Sequence, residues 1–239
     1  MLAACTVASE PNPPNWDTKS VKIITPSSDC QSIVNAVWFE NGGTNPPLNG
    51  QWSTSRYALM FTEGYHNCDV NVGFYTQILG VGLTPTDTRI KNLWSPNGST
   101  DYTTGALCNF WRGVENVTLG NADNQPVVWA VSQAAPMRRV KIEGDIDLFA
   151  SSGGPAGYAS GGYLADAQVT GSVYGGSQQQ WFTRNSTMRK FEAGVWNYVF
   201  LGCEGAPSSH CGGGGSGPMS TVGNTPLIAE KPYIVMEGN

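Results

Sequence analysis

The feature that most constrains this chain is an irregular repeat in its second half. Four blocks align: Asn109–Leu119, Ala130–Ile142, Gly161–Val169 and Gln180–Met188. Each closes on an apolar residue, a polar or small one and a second apolar residue, as in Val117/Leu119, Val140/Ile142 and Ala167/Val169, with Ser186/Met188 a weaker copy. The block ends recur at about 20 residues, apart from one wider gap that holds a Gly-rich insertion at 151–160. A period of that size, with alternating strands and little helix, is the signature of a β-solenoid. An immunoglobulin-like sandwich also has short strands, but it does not repeat one turn phrase. The predicted fold is all-β, a parallel β-helix of about seven to eight coils in one domain over 21–239.

The first half fits that frame. Residues 1–20, with Pro11, Pro13 and Pro14, read as an extended entry segment, and Met1–Cys5 looks like the tail of a signal peptide ending in a lipoprotein-type box. Val21–Ile24 reads as a strand. Ser28-Asp29-Cys30-Gln31 is a capping box opening a helix to about Glu40, with Ile33, Val34, Val37 and Trp38 on one face. Such a helix would close the open apolar end of the first coil. Strands punctuated by Gly-Tyr and Gly-x-Gly turns then run from Tyr57 to Ile90.

Composition excludes several function classes. Charged residues make up 13% of the 239-residue chain, net charge is −5, and no Lys/Arg cluster exceeds the pair Arg138-Arg139, so a nucleic-acid footprint is missing. Nowhere is there an apolar run long enough to span a bilayer as a helix. Six widely spaced cysteines without C-x-x-C, and two histidines, do not make a zinc site; disulfides are the better reading and point to an extracellular or cell-surface protein. Cys30 is placed to reach Cys68, and Cys203 and Cys211 bracket a short loop that a disulfide would close. Sequons at Asn97, Asn116 and Asn185 are compatible with secretion. No G-x-S-x-G, P-loop or H-E-x-x-H motif is present, and Gly212–Gly215 is a flexible loop.

The strings at 129–149, 160–173, 176–188 and 196–207 (WAVSQAAPMRRVKIEGDIDLF, SGGYLADAQVTGSV, GSQQQWFTRNSTM, WNYVFLGCEGAP) resemble a group of secreted microbial proteins. These are built on a right-handed, pectate-lyase-like parallel β-helix and are often labelled discoidin (coagulation factor 5/8 type) or adenylyl cyclase. They are distantly similar to β-1,3-glucanases made of paired β-helices. The likeness runs over about residues 20–235. With it goes the expectation of a carbohydrate-active monomer with polysaccharide as partner, glycoside-hydrolase-like rather than a lyase, because a lyase needs a basic groove and this chain offers only Arg138, Arg139, Arg184, Arg189 and Lys190 nearby. The likeness also implies that the chain is the first part of a longer one. The alternative is a noncatalytic glycan-binding solenoid at the cell surface.

Polysaccharide chemistry calls for aromatic platforms and a carboxylate pair. In Glu143–Leu148 the alternation turns Ile146 and Leu148 inward and Asp145 and Asp147 outward, a pair suited to inverting hydrolysis or to Ca²⁺, the one cofactor considered. Aligning the repeats puts Asn116, Arg139, Asp166 and Asn185 on one coil position, so Arg139 is expected to lie beside Asp166 and hold it ionised as a base, nucleophile or binding group. Against this stands an internal polar ladder. Gln133, Gln179, Gln180, Trp181 and Arg184 are candidates to line a groove, with Trp111, Trp129 and Trp196 as further platforms and Glu204, in a tight Gly turn, as a general acid. The same residues read equally as core tryptophans and a solvated face. Any site is expected on the lateral face formed by residues 129–204.

Overall fold

The structure is a computed structural model, which describes residues 15–42, 50–95, 106–120, 125–149, 157–193, 197–213 and 217–237. The entry segment with Cys5, the sequon at Asn97, part of the Gly-rich insertion and Trp196 lie outside the described residues.

Among the described residues fifteen strands and one helix follow in order: β1 (Val21–Ile24), α1 (Cys30–Asn41), β2 (Tyr57–Phe61), β3 (Gly64–Asn71), β4 (Thr76–Gly80), β5 (Thr88–Ser95), β6 (Gly113–Leu119), β7 (Val127–Trp129), β8 (Pro136–Ile142), β9 (Ile146–Asp147), β10 (Tyr163–Val169), β11 (Ser172–Gly176), β12 (Gln180–Arg184), β13 (Lys190–Ala193), β14 (Asn197–Leu201) and β15 (Met219–Val222). All strand ladders among the described residues are parallel, with one isolated antiparallel bridge between His210 and Met219. The path β1-β2-β4-β6-β8-β10-β12-β14-β15 forms one face, and β3-β5-β7-β9-β11-β13 forms a second. A strand of one face feeds a strand of the other before the chain returns one level further on. The result is a single curled, all-parallel sheet of the solenoid kind.

Register makes the core continuous. Leu59, Ile78, Val114, Met137, Leu164, Thr183 and Phe200 are directly paired from strand to strand and all are buried. Identical inward positions thus stack on neighbours about 4.8 Å away. The two faces meet at a corner where Asn116, Arg139, Asp166 and Asn185 all have positive φ (55°, 49°, 50° and 47°). Asn and Asp tolerate this left-handed conformation because their short side chains bond locally. Asn116 is fully buried, and its Nδ2 donates to the carbonyls of Gly80 (2.9 Å) and Gly82 (2.7 Å), which satisfies the turn of the coil before. A glycan on Asn116 is therefore excluded, whereas Asn185 is exposed.

At the start of the solenoid α1 packs on β3. The N-cap is Asp29, whose Oδ1 accepts from Ser32 N, while Ser28 Oγ accepts from Thr25 N; the helix thus starts one residue later than a Ser28 cap implies. Cys30 is disulfide-bonded to Cys68 with Cα atoms 5.9 Å apart. The Gln31 side chain donates to Asp69 O and accepts from Asp69 N, pairing backbone groups of β3 that would otherwise form an open edge. The expected Cys203–Cys211 bridge is not formed: both are free thiols, because Cys203 Sγ turns in against Leu201 O while Cys211 is exposed.

Trp129 (0% exposed) and Trp181 (3%) both lie in the core, so neither is a sugar platform. Trp129 Nε1 donates to Ala135 O inside the coil. Gly162 explains Trp181: a Cβ there would collide with the indole, so the glycine makes room for the ring to tuck inward. Gln178 is also fully buried. Its Nε2 donates to Val131 O and Leu148 O (both 2.8 Å) and its Oε1 accepts from Gly161 N (2.9 Å), fastening three segments together.

Candidate functional site

Three groups of side chains decorate the lateral faces. The first surrounds the ladder. Asp166 Oδ1 accepts from Asn185 Nδ2 at 2.6 Å, and Oδ2 is buried without a partner. Arg139 does not pair with it: its guanidinium lies 3.8 Å over the ring of Tyr233 and donates to Asn116 Oδ1 at 3.4 Å. The predicted ladder exists, but its arginine is drawn toward the C-terminal segment by the aromatic face. A groove of about 550 Å³ runs beside it between Thr84–Thr86, Arg139, Lys141, Asp166 and Asn185.

That C-terminal segment, residues 226–237, passes across the strands of the first face. Met236 N donates to Val81 O, Tyr233 Oη to Leu83 O, and Arg138 Nη2 to Lys231 O. Beneath it an ion network fills the surface. Arg138 forms a two-pronged pair with Glu115 (3.1 and 3.0 Å), Lys231 Nζ meets Glu115 at 2.6 Å, and Glu230 pairs with both Arg138 and Arg184. Arg184 is thus neutralised by Glu230 and not free for a ligand. Nothing in the sequence pattern announces this crossing.

The second group lies on the outer side of the other face. Asp145 Oδ1 accepts from Ser172 N at 2.7 Å and faces Arg189 at 3.5 Å. Asp147 stands two residues on, between Val128 and Tyr174 in register. Burial, and then the charge of Asp145, push its carboxyl up to about 6. Such a carboxyl keeps its proton in mild acid and can deliver it. Glu204 is exposed, and its backbone carries a bridge to Thr187. Among the described residues no three His, Cys, Asp or Glu side chains converge, so the Asp145/Asp147 pair has no third acidic ligand for Ca²⁺.

The third group occupies the corner that leads into the first face. Three residues ahead of the paired positions Leu59, Ile78, Val114, Met137, Leu164, Thr183 and Phe200 stand Arg56, Tyr75, Trp111, Ala134, Gly161, Gln180 and Asn197. Tyr75, Trp111, Ala134 and Gly161 all have positive φ. Tyr75 N donates to Trp111 O, and Arg112 N to Ala134 O, so this column is a second ladder. The Arg56 guanidinium sits 3.6 Å over Tyr75, and Tyr75 stacks on Trp111 with ring centres 5.2 Å apart and planes 7° off parallel. Trp52, 78% exposed, leans against Trp111 at 5.7 Å. Beyond Trp111 the column carries no ring. Gln133 lies one residue before Ala134, exposed, its Nε2 donating to Ser160 Oγ at 3.1 Å. Gln180 is exposed, and Gln179 is half-buried with its backbone N bonded to Ala159 O. The structure thus brings Gln133 and Gln180 to one corner, leaves Asp166 at the opposite corner of the first face, and puts Asp145 and Asp147 on the other face. The aromatic column was not legible in the sequence, because neither Tyr75 nor Trp111 belongs to a residue type that signals a left-handed turn.

The chain is thus an all-parallel, solenoid-like sheet with rings and amides along one corner. No protein-family model matches the chain. It is 41% identical over 229 residues to an exo-β-1,3-glucanase of Streptomyces sp. (strain SirexAA-E / ActE), covering 92% of this chain and 34% of that protein. It is 34% identical over 119 residues to a glucan 1,3-β-glucosidase of Cochliobolus carbonum, covering 44% of this chain and 15% of that protein. The solved structure of sacteLam55A from Streptomyces sp. SirexAA-E superposes with a TM-score of 0.79 at 39% identity, over 92% of this chain and 38% of that one. A variant of the same protein solved in complex with glucose matches equally, with a TM-score of 0.79 at 38% identity. The chain spans about a third of the length of the first of these relatives. Both curated relatives carry glucan-cleaving names, and the discoidin and adenylyl cyclase labels find no support.

Proposed function

We propose that this chain is the glucan-handling, right-handed parallel β-helix of a secreted glycoside hydrolase, pectate-lyase-like in its coils, and that it holds β-1,3-linked glucan on its lateral surface. The observation that carries the reading is the 41% identity to an exo-β-1,3-glucanase over 92% of this chain, which takes in both corners and both faces. The Cys30–Cys68 disulfide supports an oxidising compartment, since such bonds persist outside the reducing cytosol.

Hydrolysis of a glycosidic bond needs a proton donor and a carboxylate partner. Asp147, pushed up to about 6, takes the donor role, and Asp145 is the charged neighbour. Asp166, with Oδ1 held by Asn185, and exposed Glu204 serve as sugar-hydroxyl acceptors in this reading. Incubation with linear β-1,3-glucan, followed by assay of reducing ends, tests it. Release that Asp147→Asn abolishes is expected, and release unchanged in that variant overturns the acid assignment.

A second reading, a noncatalytic glycan-binding solenoid, is favoured by one observation: the Arg56–Asn197 column carries amides and rings but no carboxylate. Binding of β-1,3-glucan by calorimetry without release of reducing ends would select it.

A further inference from the structure

One row of the first face points away from the core. Leu79, Glu115, Arg138, Ala165, Arg184 and Leu201 pair from strand to strand, each one residue after a core position, so alternation turns them outward. Ala165 is nevertheless 0% exposed. The C-terminal segment crosses at this rung. Glu230 Oε2 pairs with Arg138 at 3.6 Å and Oε1 pairs with Arg184, the residues of the rungs on either side of Ala165. Rungs lie about 4.8 Å apart, so the two arginines are set roughly 10 Å apart along the row with only a methyl group between them, and one carboxylate spans the gap.

Charge makes this place a seat for an anion. Three cations, Arg138, Arg184 and Lys231, meet two carboxylates, Glu115 and Glu230. Arg138 gives Nε and Nη2 to Glu115, which leaves Nη1 facing Glu230. Without Glu230 three cations would face one acid. Apolar burial adds little to the attachment: Leu227, Ile228 and Ile234 are all exposed, and a cavity of about 350 Å³ lies between Ala229, Glu230 and Lys231 on one side and Val114, Pro136 and Tyr163 on the other. Further along, Tyr233 Oη and Met236 N donate to Leu83 O and Val81 O.

We propose that Arg138, Ala165 and Arg184 form a carboxylate seat, that Glu230 is its tethered occupant, and that this contact latches the segment 226–237 onto the first face. Guanidinium donors converging from two sides bind a carboxylate more strongly than a neutral hydroxyl, because each hydrogen bond is charge-assisted at both ends. Glu230 outcompetes free anions because the chain delivers it at high local concentration. Once it leaves, the pair of Lys231 with Glu115 and the few bonds around Tyr233 and Met236 do not repay the entropy of ordering the segment, which lifts as a unit. The emptied seat then takes a small carboxylate from solution.

The latch is read by amide hydrogen exchange at Met236 in the 239-residue chain. Glu230→Gln is expected to speed exchange there by about tenfold or more, while the core amides of Leu164 and Phe200 stay within about twofold. Ala165→Leu fills the rung without changing a charge and is expected to do the same. The seat is read separately with acetate as the probe. Sodium acetate is expected to raise the melting temperature of Glu230→Ala above its value in sodium chloride of equal ionic strength, and to lose that effect in the double variant Glu230→Ala/Arg184→Ala. Met236 exchange unchanged in both Glu230→Gln and Ala165→Leu overturns the latch. Equal acceleration at Met236, Leu164 and Phe200 overturns it too, since the charges then hold the whole fold. An acetate shift that is missing in Glu230→Ala, or that survives Arg184→Ala, overturns the seat.

Discussion

Gln178→Ala should unfold this protein well before any surface variant does. The side chain is completely buried and bonds three backbone groups on separate segments: the carbonyls of Val131 and Leu148 and the N–H of Gly161. Truncation leaves two acceptors and one donor without partners. A buried polar group so orphaned costs about 1–3 kcal/mol, and partial rehydration through the vacated space lowers the sum, so a loss of about 4 kcal/mol is expected. For a chain of this size each kcal/mol moves the melting point by about 2–4 °C, which puts the drop at about 10 °C in differential scanning calorimetry. Gln178→Glu is the control. At neutral pH its carboxylate still accepts from Gly161 N but faces two carbonyls it cannot satisfy, so it should be at least as destabilising. Protonation near pH 4 should recover part of the loss, since a neutral carboxyl donates one bond. A melting point within about 2 °C of wild type for Gln178→Ala would refute the claim that this amide fastens the coils.

Three further outcomes follow from the same structure. Asp166→Asn should leave the melting point within a few degrees, because no cation pairs with the carboxylate; a loss of several kcal/mol, as when a buried arginine loses its acid, would restore the Arg139–Asp166 pair. The Asp147 carboxyl has a folded value near 6 against an unfolded value near 4, so between those pH values the folded state binds more protons and stability falls as pH rises through about 4 to 6. Asp147→Asn should flatten that slope and, after allowance for solvent screening at a half-buried group, gain about 1 kcal/mol at pH 7, as read from urea unfolding at each pH. Reduction of the Cys30–Cys68 bond, which spans a sequence separation of 38, should cost about 4 kcal/mol by the chain-entropy relation, and thermal scans with and without reductant should differ accordingly.

What the sequence carried and what it did not divide along physical lines. The corner ladder could be read from the alignment of Asn116, Arg139, Asp166 and Asn185, because the residue after each, Val117, Val140, Ala167 or Ser186, is buried and every coil must turn at the same place to keep it inward. Its contacts could not be read in the same way: Arg139 turned to Tyr233, a residue brought in from the far end of the chain. Trp129 and Trp181 were ambiguous by type, yet alternation decides Trp181, since an exposed Gln180 puts its successor inside. The aromatic corner was hidden because Tyr75 and Trp111 sit in left-handed turns that short polar residues or glycine normally occupy, and because the two are far apart in the sequence. The segment at 226–237 has no periodicity at all; its place is fixed by Glu230 and Lys231 meeting charges on three strands.

The central claim, that the lateral surface of the solenoid, with the corner that leads into the first face, receives β-1,3-glucan, is tested most directly by hydrogen exchange of the chain with and without a saturating linear β-1,3-gluco-oligosaccharide. The account predicts new protection at the backbone amides of 131–135, 158–163 and 178–181 and beside Asp147 on β9, with α1 and β15 unchanged. Protection confined to α1 and β15, or no change anywhere at a concentration where calorimetry reports binding, would contradict it.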